Sequence, residues 1–367
     1  MPLVPPTGPA AVLMQTLEAE RVDQATAQQA IQTFLNACSQ LTREERQSQF
    51  DTLLSIVDER PTGPACFLSG VCGALLEQGA WPGRMGEILQ RLLEEILPQA
   101  SYLARESQKR EQLAIPPQTS FASAEEEEAH YQQIEQVGVQ AFEELSAAHP
   151  LARDAWNYLG ALWPACVALY SLDVPSRTRA KGFLPVLEPL SNRHEGAYWL
   201  ERLLNVLDRE PLLVIHPVKE TGITARVSGV SDNFQLNTLL QEVFPRGWLE
   251  RRRISQSAFE IASGIGPQFS QETITGTWNL YQSTAITPEG KLTKGEEAAR
   301  HWVWGEGSPS DISIVDGYRV VLLGPPTHYP SWSPVRHFKC MRASIDEVQV
   351  LDKPTVRQWL KRLATRS

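Results

Sequence analysis

Residues 211–228 read Pro-Leu-Leu-Val-Ile-His-Pro-Val-Lys-Glu-Thr-Gly-Ile-Thr-Ala-Arg-Val-Ser, and this stretch decides the fold. Leu212 to Val218 is a strand-like apolar run. After a turn at Lys219-Glu-Thr-Gly, Ile223, Ala225 and Val227 alternate with Thr224, Arg226 and Ser228, the period-two signature of a half-buried strand. Upstream of this point the hydrophobic rhythm is different.

From Ala10 to about Arg110 the period is helical. Ile31, Phe34, Leu35 and Cys38 recur at i, i+3, i+4 and i+7, which places them on one helix face. Thr42 followed by Glu45 is a capping box, and the helix it opens should bury Phe50, Leu53, Leu54 and Val57. Pro61-Thr-Gly-Pro and Trp81-Pro-Gly read as breaks, with a helix from Cys66 to Leu76 between them. Met85, Ile88, Leu92, Ile96 and Leu97 mark a long amphipathic helix. Residues 112–124 read as a loop, and Ser123 with Glu126 caps a helix to about Ala148. An apolar helix from Leu151 to about Leu172, a basic proline-marked turn and a helix from Gly196 to Leu207 complete this half. Its short, antiparallel helices suggest a bundle or a short α-solenoid.

Downstream, Asp232 or Asn233 should cap a helix carrying Leu236, Leu239, Leu240 and Val243. A strand pair is expected between Ile274 and Leu292, turning at Thr287-Pro-Glu-Gly. The clearest local signal is Ile312-Ser-Ile-Val, then Asp316-Gly317, then Tyr318-Arg-Val-Val-Leu-Leu. Asp-Gly between β-rich runs predicts a two-residue hairpin turn, because both central positions need positive φ. Pro354 sits near the start of a closing helix from Lys353 to Ala364. The expected architecture is therefore multidomain, α then α+β: a flexible arm over 1–9, an acidic all-helical domain over 10–208, and over 209–367 a Trp-rich domain with a mixed or antiparallel sheet.

Charge divides in the same direction. The net value is −9, yet residues 1–150 hold 21 Asp and Glu against 9 Lys and Arg, while residues 151–367 hold 22 against 25. The acidic half should repel phosphate backbones, so any nucleic-acid contact belongs to the second half. There, Arg251-Arg-Arg253 is a short basic run, and Lys353, Arg357 and Lys361 form one stripe on the last helix, with Arg362 and Arg366 beyond. Five cysteines without a CxxC pair fit reduced thiols in a cytosolic setting. The start, Met1-Pro-Leu-Val-Pro-Pro, has no signal-peptide core, and the most apolar run, Leu159 to Leu172, is too short to span a bilayer.

Functional residue types concentrate between His301 and Cys340. Glu306, Asp311, His328 and His337 are the candidate acid–base residues. Trp302, Trp304, Tyr329, Trp332 and Arg336 are candidate binding residues. The plainer reading of 324–340 is a proline-stiffened loop whose rings cap the sheet. His328, His337 and Cys340 could offer zinc ligands, but their spacing matches no metal signature, so no metal or other cofactor is expected. There is no GxSxG elbow, no GxxxxGK[ST] loop and no GxGxxG after a strand. The leading expectation is a bacterial-type soluble cytosolic protein with a non-catalytic interaction or regulatory role and a protein partner, possible self-association and no membrane. The alternatives are a hydrolase or transferase with its site in 301–340 at the domain junction, and a weak nucleic-acid binder using the C-terminal basic helix.

Overall fold

A computed structural model of the chain describes residues 8–18, 23–115, 118, 120–244, 254–325 and 330–366. The chain forms two compact units, Met1–Leu204 and Asn205–Ser367. Most of the expected arm, residues 1–7, lies outside the described residues, and Pro9 already opens a helix.

The described part of the first unit is helical throughout, with no strand. Its elements are α1 (Pro9–Leu17), α2 (Gln24–Ser39), α3 (Arg43–Glu59), α4 (Thr62–Glu77), α5 (Met85–Ala114), α6 (Ala124–Ala148), α7 (Pro150–Leu172), α8 (Val174–Ala180), α9 (Leu184–Ser191) and α10 (Glu195–Leu204). The capping box of α3 is complete. Thr42 Oγ1 accepts from the Glu45 amide at 3.3 Å, and the Glu45 carboxylate accepts from the Thr42 amide at 2.9 Å. Phe50, Leu53, Leu54 and Val57 are all buried, as their spacing predicts. The α4 and α7 backbones pack closely: a Cβ on Gly73 would stand 2.7 Å from the Ala165 Cα.

Two upstream readings need correction. Pro61-Thr-Gly-Pro is the start of α4 rather than a gap before it, because proline in a first turn gives up an amide that has no helical partner anyway. The expected basic turn after Leu172 is instead α8 and α9. Asp173 caps α8 by accepting from the Ser176 amide at 2.9 Å, and both helices carry a proline in their first turn.

The second unit contains β1 (Glu210–His216), β2 (Thr221–Ser228), α11 (Asn233–Val243), α12 (Gln256–Ser263), β3 (Ile274–Thr275), β4 (Asn279–Gln282), α13 (Glu296–Ala299), β5 (Ile314–Val315), β6 (Tyr318–Gly324), β7 (Ser331–Trp332), β8 (Ser344–Leu351) and α14 (Lys353–Ala364). The chain is thus α followed by α+β. One sheet runs in the order β4-β6-β1-β2-β8, with β5 beside β6, and β1 lies parallel to β6 while the other pairs are antiparallel. The hairpin at Asp316-Gly317 forms as expected: Val315 faces Tyr318, and the two turn residues take φ of 50° and 82°. The strand pair expected over 274–292 does not form. β4 pairs with β6 and β3 with β7, and across Thr287-Pro-Glu-Gly only Ile286 and Leu292 bridge. Four residues of β4 satisfy their backbone better against the long β6 than against the short return chain.

The sheet is covered on both faces, which is why β1 reads as a continuous apolar run. Leu212 and Val214 join Leu236, Leu239 and Leu240 of α11, whereas Leu213 and Ile215 join Val356, Leu360 and Leu363 of α14. No described helix is long and apolar enough to cross a membrane.

Candidate functional site

The N-terminal turn of α11 is where the candidate residues of this unit gather. Asp232 caps the helix, its Oδ1 accepting from the Gln235 amide at 2.8 Å. The next two amides are taken by a separate loop: Asn233 N–H donates to the Gly307 carbonyl at 3.0 Å and Phe234 N–H to the Gly305 carbonyl at 2.9 Å. Asn233 Nδ2 adds a bond to the Trp304 carbonyl at 2.8 Å. The approach requires glycine at 305, since a Cβ there would meet the Phe234 ring at 2.2 Å.

The same loop is anchored at its other end to the edge of the sheet. Gln282 N–H donates to the His301 carbonyl at 2.8 Å, and Val303 N–H donates to the Leu280 carbonyl at 3.0 Å, so 301–303 runs alongside β4. Trp302 and Trp304 are brought together as their spacing suggests, with ring centres 5.6 Å apart and planes at 75°. Trp302 is half-buried and Trp304 is 65% exposed.

These pieces enclose a cleft of about 140 Å³, with Asn233, Phe234, Asn237 and Asn279 below and Trp302, Trp304, Glu306 and Pro330 around it. Asn233 and Asn237, one turn apart on α11, share a face. Asn233, Asn237 and Asn279 are 2%, 5% and 7% exposed, yet among the described residues Asn233 Oδ1, Asn237 Oδ1 and Asn279 Nδ2 have no hydrogen-bond partner. The stripe continues to Gln241, whose buried Nε2 is also unpartnered. A buried polar atom left without a partner costs about 1–3 kcal/mol, and native interiors hold few of them. Several together along one helix face mark a place where stability is given up. The volume sets the size of an occupant: clefts for drug-sized ligands run from about 300 Å³ upward, so this one takes a single side chain or headgroup and not a nucleotide.

The remaining candidates have local duties. Asp311 Oδ2 accepts from the Ser308 amide at 3.1 Å and completes the cap of a short 3₁₀ turn. His337 Nε2 stands 3.4 Å from Asp232 Oδ2, which also accepts from Ser231 Oγ at 2.9 Å, so His337 braces the α11 cap. Trp332 is buried, stacks on Phe234 at 5.2 Å and donates from Nε1 to Thr238 Oγ1 at 3.0 Å. Arg336 is buried without an acidic partner. Its Nη2 donates to the Gly266 carbonyl at 3.3 Å while Nε and Nη1 have none, and burial lowers its pKa. Among the described candidates, Glu306, Trp302 and Trp304 line the cleft. His328 and Tyr329 lie outside the described residues, as do Trp248 and Arg251-Arg-Arg253. Among the described residues, no three His, Cys, Asp or Glu side chains gather closely enough to hold a metal ion, and so none do around His337 and Cys340.

Three arginines on and beyond the basic stripe of α14 are paired within their own unit. Arg357 forms a two-pronged pair with Glu220 at 2.8 and 2.6 Å, and Arg362 and Arg366 both reach Asp316, at 3.0 and 2.6 Å. A larger groove of about 780 Å³ lies between α1 and α2, lined mostly by small and apolar residues. Thr16 and Thr33 there bond their own helix carbonyls, and Gln29 Nε2 donates to Thr33 Oγ1 at 3.4 Å.

Sequence reasoning missed the three asparagines. Asn233 and Asn237 stand with Gln241 at i, i+4 and i+8 of a helix, which looks like a solvated face, and neither there nor at Asn279 on β4 does anything local distinguish a buried polar group from an exposed one. No known protein family, curated protein or solved structure matches this chain.

Proposed function

We propose that the protein is a non-catalytic interaction or regulatory protein whose α+β unit recognises a protein partner by taking one of its side chains into the asparagine–tryptophan cleft. The observation that carries this reading is the set of three deeply buried carboxamides with unpartnered atoms beneath an aromatic wall. Recognition surfaces favour tryptophan anchors and small, desolvated pockets. The candidate acid–base residues support binding over chemistry, because Asp311 and His337 are engaged in capping and bracing. The pairing of Arg357, Arg362 and Arg366 with acidic residues argues for a protein partner over nucleic acid. The role calls for no cofactor. A cytoplasmic location fits the thiols: burial pushes Cys38 up to about 11 and Cys66 and Cys72 to about 12, and the four buried cysteines form no disulfide among the described residues.

The test is affinity capture from the parent cell with the full-length chain, alongside Trp304→Ala and Asn237→Leu variants whose folding is verified by circular dichroism. A partner held by the parent protein and lost from both variants supports the reading. Capture that is identical for all three, or no capture by any, rejects it.

A further inference from the structure

We propose that the cleft receives a positively charged side chain of the partner, the guanidinium of an arginine; the inference rests on the recognition role proposed above. Glu306 brings a formal negative charge to the lining, and no Lys, Arg or His stands among the described residues there. The rest of the wall is largely aromatic: Trp304, which is 65% exposed, Trp302 and Phe234. An aromatic ring is negative over its faces, so indoles attract a cation, and more strongly where water is displaced. The two indole planes stand at 75° with centres 5.6 Å apart, so they present ring surface in two directions at one place.

The start of α11 beside the cleft would ordinarily favour an anion, through its unbonded amides and the helix dipole. Here those amides are taken. Asn233 N–H is held by the Gly307 carbonyl, Phe234 N–H by the Gly305 carbonyl and Gln235 N–H by the Asp232 carboxylate. Asp232 is 3% exposed, and its charge offsets the positive end of the helix. An incoming carboxylate or phosphate would meet engaged amides, no described cationic side chain, and Glu306 opposing it.

Shape decides between the two common cations. A guanidinium is planar, lies flat on an indole and meets a carboxylate through two parallel N–H bonds, whereas an ammonium is a compact, strongly hydrated point charge. Trp304 and Glu306 are two residues apart on one loop, so a single guanidinium can address both. Citrulline keeps the shape of arginine without its charge, which separates recognition of charge from simple fitting.

The experiment titrates the intact protein, and its Trp304→Ala and Glu306→Gln variants with folding verified by circular dichroism, with N-acetyl-arginine N-methylamide and with the citrulline, lysine and glutamate analogues. Binding is followed through the indole N–H resonances of Trp302 and Trp304. The arginine probe is expected to shift these resonances and to bind about tenfold tighter than the citrulline probe. Each variant should weaken it about threefold or more. Equal binding of arginine and citrulline, or tighter binding of glutamate, overturns the cation assignment while leaving a recognition cleft in place. Lysine binding as tightly as arginine overturns the choice of a guanidinium. Unchanged affinity in both variants puts the probe outside the cleft and overturns the assignment. Silence of these resonances with every probe overturns both the assignment and the recognition role.

Discussion

Replacing Asn237 by leucine should make the protein more stable. The side chain is 5% exposed, and its Oδ1 faces no donor among the described residues, so it stands as an orphaned acceptor there. Relieving it is worth about 1–3 kcal/mol, and leucine's higher helix propensity adds a few tenths within α11. The leucine branch must fit beside Asn233 and Asn279, and forced packing typically costs about 1 kcal/mol or more. The net expectation is a gain of about 1–2 kcal/mol, equivalent to about 2–8 °C for a unit of this size. Native-state hydrogen exchange of the α11 amides, read against urea in the full-length chain, reports the stability of this unit separately from the helical one. Asn237→Asp is the control, since a buried unpaired carboxylate should destabilise. A loss of more than about 1 kcal/mol in the leucine variant would refute the reasoning, because it would mean that the amide is satisfied in the native state. A stabilising change that removes binding is the mark of a residue kept for function.

Three further outcomes follow from the structure. Gly73→Ala should lower the stability of the helical unit by about 1–3 kcal/mol, because the added Cβ would stand 2.7 Å from the Ala165 backbone; urea unfolding followed by circular dichroism checks this, and an unchanged midpoint would show that α4 and α7 separate freely. In a thiol titration of the native protein the four buried cysteines should react only after denaturation; fast reaction of two or more native thiols contradicts the assigned burial. His194 is held neutral by burial, with Nε2 beside the Trp156 carbonyl at 3.2 Å and Nδ1 accepting from the Ala197 amide at 3.3 Å. Its folded pKa lies below the ordinary value, so its contribution is present above about pH 6.5 and is lost as pH falls from there through the folded pKa. An NMR titration midpoint at or above the ordinary histidine value would overturn this.

Much of the fold was legible because it is encoded within a few residues. Thr42 and Glu45 make a capping box from chemistry three positions apart, and the Asp316-Gly317 turn joins two strands that flank it directly in the chain. The alternation of Ile223, Ala225 and Val227 declares a buried strand face directly. What failed depended on competition between distant segments. β4 was expected to pair with the chain just after it, and it pairs with β6 across about forty residues instead. Pro61-Thr-Gly-Pro does end α3, but the next helix starts within it, and the basic, proline-marked segment after Leu172 was read as a turn although a first-turn proline is as compatible with a helix start as with a loop.

The candidate site was legible only at its rim. Trp302, Trp304 and Glu306 stood out by residue type, and they do line the cleft. Its floor comes from Asn233 and Asn237 on α11 and Asn279 at the start of β4, which are ordinary polar positions in one dimension. By itself the sequence determined where helices give way to strands and which local turns and caps form, because those follow from backbone chemistry and short-range periodicity. Tertiary structure alone decided that three amides meet beneath two indole rings, because burial is a property of the neighbours that fold brings together and not of the residue that is buried.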